Sequence, residues 1–203
     1  MFAQLDTKTV YTFMDSLIDL KSYVREAKAL GYQTVGIMDK DNLYAAFHFI
    51  QEAKKQKLRP VVGLSLDFFV DGQLFPIYFV AKGTRGYKNL LKLSTKKMSD
   101  HLDLEDIEFY LDDLAVIIPY FDSLEDFNFN FEYLIGLTIA SPQKEYDKVT
   151  IPFHTVRYFK NDDIETLHIL HAIRDNMPLN EAQPVNSKQA LLANDVMTQA
   201  FRD

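Results

Sequence analysis

The sequence predicts an α/β protein whose strands are numerous enough to close a barrel. Short apolar runs alternate with segments whose apolar residues recur every three or four positions, the periods of strands and helices respectively. The first of these follow one another as strand, helix, strand, helix, strand, an order that favours parallel strands joined by right-handed crossovers. Polar and charged residues collect where the runs end, at Gln4, Asp6, Lys8, Asp39 and Asp41, and α/β proteins hold their ligands at strand ends.

Phe2, Ala3 and Leu5 form the first short strand, and a Thr-rich turn leads on to Asp15. Gln4, Asp6 and Lys8 alternate, so they project to one side. Asp19 is placed to cap a helix carrying Leu20, Tyr23, Val24, Ala27 and Leu30, which Gly31 terminates. Thr34 to Met38 reads as a buried strand. The next helix shows Leu43, Ala46, Phe47, Ile50 and Ala53 as its stripe, with Lys54, Lys55 and Lys57 at its cation-favouring end. Pro60 to Val70 and Leu74 to Ala81 read as strands joined by a turn at Asp71-Gly72.

A basic helix follows, with Tyr87, Leu90, Leu91 and Leu93 inward and Lys82, Arg85, Lys88, Lys92, Lys96 and Lys97 outward. This is a solvated face or, alternatively, a contact with DNA or with another part of a larger protein. Leu104 to Leu111 suggests a short helix. Leu114 to Ile118, Tyr133 to Ile139 and Val149 to Phe153 complete about seven strands, enough for a barrel. Between them, the Phe-rich stretch from Phe121 to Tyr133 has a weak helical pattern and reads as satellite core. Asn161 to Asp163 caps a helix through Ile164, Leu167, Ile169, Leu170 and Ile173. From Asn186 a last amphipathic stretch runs to Asp203 with no terminating signal, as in a segment of a longer chain. The expected division is a domain over 1–185 and a linking helical segment over 186–203.

With 203 residues, such a chain buries roughly 70% of its unfolded surface as one domain. A 47% hydrophobic and 25% charged composition is that of a globular protein. No apolar run is long enough to span a membrane. The absence of cysteine excludes disulfides and cysteine-bound zinc and fits the cytoplasm. A net charge of −7 argues against a general DNA-binding surface, which needs clustered cations.

Several motifs in order resemble those of the polymerase-and-histidinol-phosphatase (PHP) domains that open bacterial DNA polymerase III alpha subunits. That family begins with phenylalanine, an apolar residue and a histidine-rich run, then tyrosine and aspartate. Here Phe2, Leu5, Tyr11 and Asp15 keep the frame, while Gln4, Asp6 and Lys8 stand at the histidine positions. The family's Thr-Asp-His-Gly-Asn is matched by Met38-Asp39-Lys40-Asp41-Asn42, and its Pro-to-Glu motif by Pro60 to Ser65. A ligand histidine aligns with Pro76, and the final Asn-Asp-apolar-His-Tyr with His154-Thr155-Val156-Arg157-Tyr158.

The resemblance implies a distorted seven-stranded (β/α) barrel with a degenerate metal site at Gln4, Asp6, Lys8, Asp15, Asp39, Lys40, Ser65, Pro76, Thr155 and Arg157. It implies no catalytic residue, metal or cofactor in this segment; the parent polymerase uses Mg²⁺ in a separate palm domain. It also implies partners: the remaining polymerase domains, a proofreading exonuclease or other replisome proteins, DNA weakly if at all, and no membrane. The alternative is a metal-dependent phosphoesterase, pyrophosphatase or proofreading exonuclease with a reduced site.

From the residues themselves, zinc-like metals need several converging His, Asp or Glu ligands. His154 lies one residue from a ligand position. His168 and His171 sit three apart on a helix, while His48 and His101 read as solvated. Asp6, Asp15, Asp39 and Asp41 could hold a hard cation or pair with Lys8, Lys40 and Arg157. The expectation is that these three cations converge on Asp6, Asp15 and Asp39 and replace the charge of a metal cluster.

Overall fold

In the computed structural model, which describes residues 1–70, 73–99, 102–122, 124, 127 and 129–202, the helix ends fall where their capping residues stand. Asp19 accepts a hydrogen bond from the Ser22 amide at 3.0 Å and opens α1 (Leu20–Ala29). Gly31, at φ 85°, closes it: the Tyr32 amide returns to the Ala27 carbonyl at 3.0 Å, a closure that requires a left-handed residue. Tyr23, Val24 and Ala27 are its buried face.

Strand β1 (Thr34–Ile37) pairs in parallel with β2 (Arg59–Val70), and α2 (Ala46–Lys55) connects them. The buried face of α2 is Ala46, Phe49 and Ala53. Phe47, expected inside, is 63% exposed. The helix starts at Ala46, leaving Leu43 outside it, and turns Phe49 rather than Phe47 to the core. Lys57 lies beyond the helix at φ 58°.

β2 turns back into β3 (Gln73–Ala81) as an antiparallel hairpin, with Ser65 opposite Tyr78 and Asp67 opposite Pro76. The expected Asp71-Gly72 turn and His101 lie outside the described residues. Helix α3 (Thr84–Ser99) buries Leu90 and Leu93, but Leu91 is 44% exposed. A Cβ on Gly86 would lie 2.0 Å from the Asp113 carbonyl oxygen, so only glycine lets this helix approach the sheet. Lys97 is held, donating to the Asp67 carbonyl at 2.9 Å.

A 3-10 helix over Asp106–Tyr110 precedes β4 (Leu114–Pro119), antiparallel to β3. β5 (Leu134–Leu137) and β6 (Thr150–Pro152) add in parallel. Between β4 and β5 the described aromatics pack on one another and on the core, Phe75 stacking on Phe121 at 4.2 Å; no α-helix forms there among the described residues. A second 3-10 turn over Asn161–Asp163 leads into α4 (Ile164–Arg174). Leu167 is buried, whereas Ile169 and Ile173, expected inside, are exposed.

The described residues form one mixed sheet of six strands in sequential order, not seven. The segment expected as a first strand makes isolated parallel bridges instead, Gln4 with Val35 and Thr7 with Val156. Its backbone groups are divided between two neighbours. Gly36 N donates to the Gln4 carbonyl at 2.6 Å, and Lys8 N to the Val156 carbonyl at 2.9 Å. The approach to β1 is so close that a Cβ on Gly36 would sit 2.4 Å from the Leu5 carbonyl oxygen. The segment thus lies between β1 on one side and Val156, four residues beyond the end of β6, on the other. Helix α5 (Asn194–Ala200) holds its start: Asn194 Nδ2 donates to the Phe2 carbonyl at 2.6 Å and Phe2 N donates to Thr198 Oγ1 at 3.0 Å.

Candidate functional site

Where the N-terminal segment passes the end of β1 and the middle of the β2–β3 hairpin, polar side chains are buried together. Lys8 and Asp6 are both inaccessible. The Lys8 ammonium lies 3.1 Å from Asp6 Oδ1, donates to the Met38 carbonyl and sits 4.5 Å from the centre of the Tyr78 ring. Asp6 Oδ1 does not meet the angular demands of a hydrogen bond, so its attraction to Lys8 is chiefly Coulombic. Asp6 Oδ2 accepts from Thr155 Oγ1 at 2.6 Å.

Burial pulls the Lys8 ammonium below the usual lysine range, and the Asp6 carboxylate opposes that pull. Burial also raises the Tyr78 hydroxyl well above its ordinary value, with the Asp6 charge adding to the effect. Gln4 braces the floor, its amide nitrogen donating to the Asp6 and His154 carbonyls at 2.9 and 2.7 Å. Gln4 Oε1 has no partner among the described residues.

Asp39, expected to meet a cation, is closed by threonines. It accepts from Thr9 N, Thr9 Oγ1 and Thr12 Oγ1 at 2.6–2.7 Å. Burial raises its carboxyl while the Thr9 and Thr12 hydrogen bonds oppose the rise. Lys40 turns outward and pairs with Asp67 at 2.5 Å, its side chain 43% exposed. The expected three-cation convergence on Asp6, Asp15 and Asp39 therefore holds for Lys8 and Arg157 and not for Lys40. Next to buried Asp39, hydroxyls satisfy the carboxylate without desolvating an ammonium; Lys40 keeps its charge near water.

Arg157 pairs with Asp15 and also donates to the Asp15 carbonyl at 3.1 Å. The same carboxylate receives Arg174 Nη1 at 2.9 Å and faces His171 Nε2 at 3.0 Å. Burial, followed by the charges of Arg174 and Arg157, pushes His171 down to about 4. It is neutral at pH 7 and brings no further charge to Asp15. This centre borders a cleft of about 510 Å³ lined by Thr12, Phe13, Lys40 and Arg174 among others.

Ser65 lies opposite Tyr78 and forms an isolated bridge with Lys40. Pro76 is one same-face step from Tyr78, so Tyr78 is the residue of β3 that reaches Lys8. His154 is buried with Nε2 on the Ala190 carbonyl at 2.9 Å. His168 faces the Ala182 carbonyl at 3.3 Å, apart from the Asp15 contact of His171. Sequence reasoning missed Tyr78, Asp67, Arg174 and the Asp15 role of His171. The threonines around Asp39 had a signal, the Thr-rich turn directly after Lys8.

A metal ion of the kind PHP domains bind needs lone pairs converging on one point. These residues do not fit one. Lys8 brings an ammonium to the centre, both Asp6 oxygens are engaged, and Asp39 is enclosed by three donors. Among the described residues no three His, Asp or Glu side chains gather as a metal set.

The chain belongs to the PHP domain family, whose model matches residues 4–163. It is similar to DNA polymerase III subunit alpha of Streptococcus pyogenes serotype M3, 49% identical over 193 residues. It is also similar to the subunit of the same name from Rickettsia felis, 33% identical over 131 residues, which are 61% of this chain and 11% of that one. The streptococcal match covers 94% of this chain and 19% of the relative, so the chain spans about a fifth of that length. Among solved structures, an amidohydrolase from Chromobacterium violaceum aligns over 98% of this chain and 96% of its own, with 8% identity and a TM-score of 0.48. No helix among the described residues is long and apolar enough to cross a membrane.

Proposed function

We propose that this chain is the N-terminal PHP domain of a DNA polymerase III alpha subunit and serves there as a non-catalytic structural and interaction module. The observation that carries the non-catalytic part is the buried Lys8–Asp6 pair. Hydrolytic chemistry of the metal-hydroxide or general-base kind needs an open coordination position or a free base beside substrate. Here an ammonium occupies that position, and the neighbouring carboxylates are already bonded.

The relatives' shared name supports the polymerase part. In this reading the parent subunit extends a primer with deoxynucleotides in the cytoplasm, using Mg²⁺ held by aspartates of a palm domain outside this chain. The N-terminal segment serves as the seventh strand of a distorted (β/α) barrel, a reading supported by its isolated bridges to Val35 of β1 and to Val156 after β6. Residues 1–185 make up the domain, and 186–203 lead toward the polymerase domains. Those domains are the first partners; a proofreading exonuclease or other replisome proteins are the next.

The test compares the full polypeptide with the 203-residue chain. The full polypeptide should extend a primed template with Mg²⁺. The shorter chain should neither extend it, nor shorten a labelled primer, nor hydrolyse nitrophenyl phosphate. Hydrolysis that vanishes in Asp6→Asn or Asp39→Asn would overturn the non-catalytic part, and a full polypeptide inert toward primers would overturn the polymerase part.

A further inference from the structure

Helix α4 is apolar on two sides. Leu167 is buried against Tyr158 and Ala190, while Ile169 and Ile173, one turn apart on another side, stand 42% and 62% exposed, with the buried Ala172 between them lining the same groove. A helix covering a single core carries one apolar stripe; apolar residues on both sides belong to a helix set between two layers.

The turn after α4 extends the outer face. Asn176 takes φ 51°, its amide donates to the Ile173 carbonyl at 3.2 Å, and the Met177 amide donates to the Ala172 carbonyl at 2.9 Å. This pair of bonds is a Schellman closure, and it fixes the course of the chain into Met177 and Leu179. Those two side chains, 41% and 46% exposed, join Ile169 and Ile173 around a groove of about 500 Å³. The groove is preformed, so an occupant bears little of the cost of ordering it.

We infer that this groove seats the next domain of the same polypeptide, through a helix or loop that presents apolar side chains. The inference rests on the reading proposed above. The matched relatives hold this segment as 19% of their length, so the greater part of the parent chain lies outside it. Four side chains are a small anchor beside the roughly 1,200–2,000 Å² that a stable interface between separate proteins buries. A tethered domain needs less, because its effective concentration is on the order of millimolar.

The chain contains no cysteine, so single reporters can be introduced. Ile173→Cys, Leu179→Cys and a control on exposed α3, Lys88→Cys, are labelled with a maleimide in the 203-residue chain and in the full polypeptide, and the modified peptide is located by mass spectrometry. In the full polypeptide the two groove positions should react about tenfold slower or more, since labelling then needs local opening; Lys88→Cys should change little. Equal rates in both proteins would overturn the inference. So would protection of the shorter chain that grows with its concentration, which marks a second copy, or protection that appears only when another protein is added. A full polypeptide that extends primers with an exposed Ile173→Cys sinks the docking alone. One that protects the groove but cannot extend primers sinks only the polymerase reading.

Discussion

The Lys8 ammonium lies 3.1 Å from the Asp6 carboxylate with neither side chain open to solvent. Two charges removed from water tolerate each other's presence better than each other's absence. Their joint desolvation offsets much of the Coulombic gain, but deleting one leaves the other stranded.

Lys8→Met and Asp6→Leu should therefore each cost about 3–5 kcal/mol of unfolding free energy. The double variant should recover most of that, less about 1 kcal/mol for the Thr155 hydroxyl left without its acceptor. Urea denaturation of the three proteins closes the cycle. Additive losses would show that the two side chains do not act as a pair.

The two outer ion pairs should differ from each other. Lys40 is 43% exposed, and Lys40→Met should cost about 1 kcal/mol or less. Asp15 ties the loop before α1 to Arg157 and to Arg174 of α4, and its side chain is only 17% exposed. Asp15→Ala should cost on the order of 2 kcal/mol, between the limits for exposed and buried pairs. Equal melting midpoints for the two variants would contradict this ranking.

Acid should act through His171. Its pKa falls from 6.5 to about 4 in the folded protein. Between those values the unfolded chain holds the proton and the folded one does not, so stability is lost as pH drops through the window and is complete above it. Relative to His171→Gln, the wild type should weaken steadily from pH 6.5 toward pH 4. A difference between the two that stays constant in denaturation across that range would mean the ring is not held neutral.

Chelators should leave the melting temperature unchanged, and added Mg²⁺, Mn²⁺ or Zn²⁺ should not raise it. A cation binding only the native state stabilises it in proportion to the logarithm of its concentration, so a chelator-sensitive melt would reveal a metal centre.

Much of the frame was legible because it depends on local chemistry. Asp19 and Gly31 mark the ends of α1 through bonds to their near neighbours, and the alternation of Gln4, Asp6 and Lys8 places them on one side whatever follows. The phase of α2 was misread because Phe47 and Phe49 are equally apolar; how the whole helix docks on the sheet decides which turns inward. The segment expected as a first strand makes isolated bridges rather than a regular ladder, and apolar spacing does not reveal how backbone bonds are shared between two neighbours. Tyr78 was passed over for Pro76, two residues away on the same face. Arg174 meets Asp15 across 159 residues of chain, a distance no periodicity spans.

The grip of α5 on Phe2 joins residues separated by 192 and 196 positions. Contacts of such separation carry the largest loop-closure cost and form late. During synthesis, the segment around Phe2 lacks these two partners until Asn194 and Thr198 have left the ribosome. Pulse-labelled amide exchange during refolding should find Gly36, whose amide bonds to Gln4, protected later than the amides of the β2–β3 hairpin. A segment made early in synthesis is then completed late in folding.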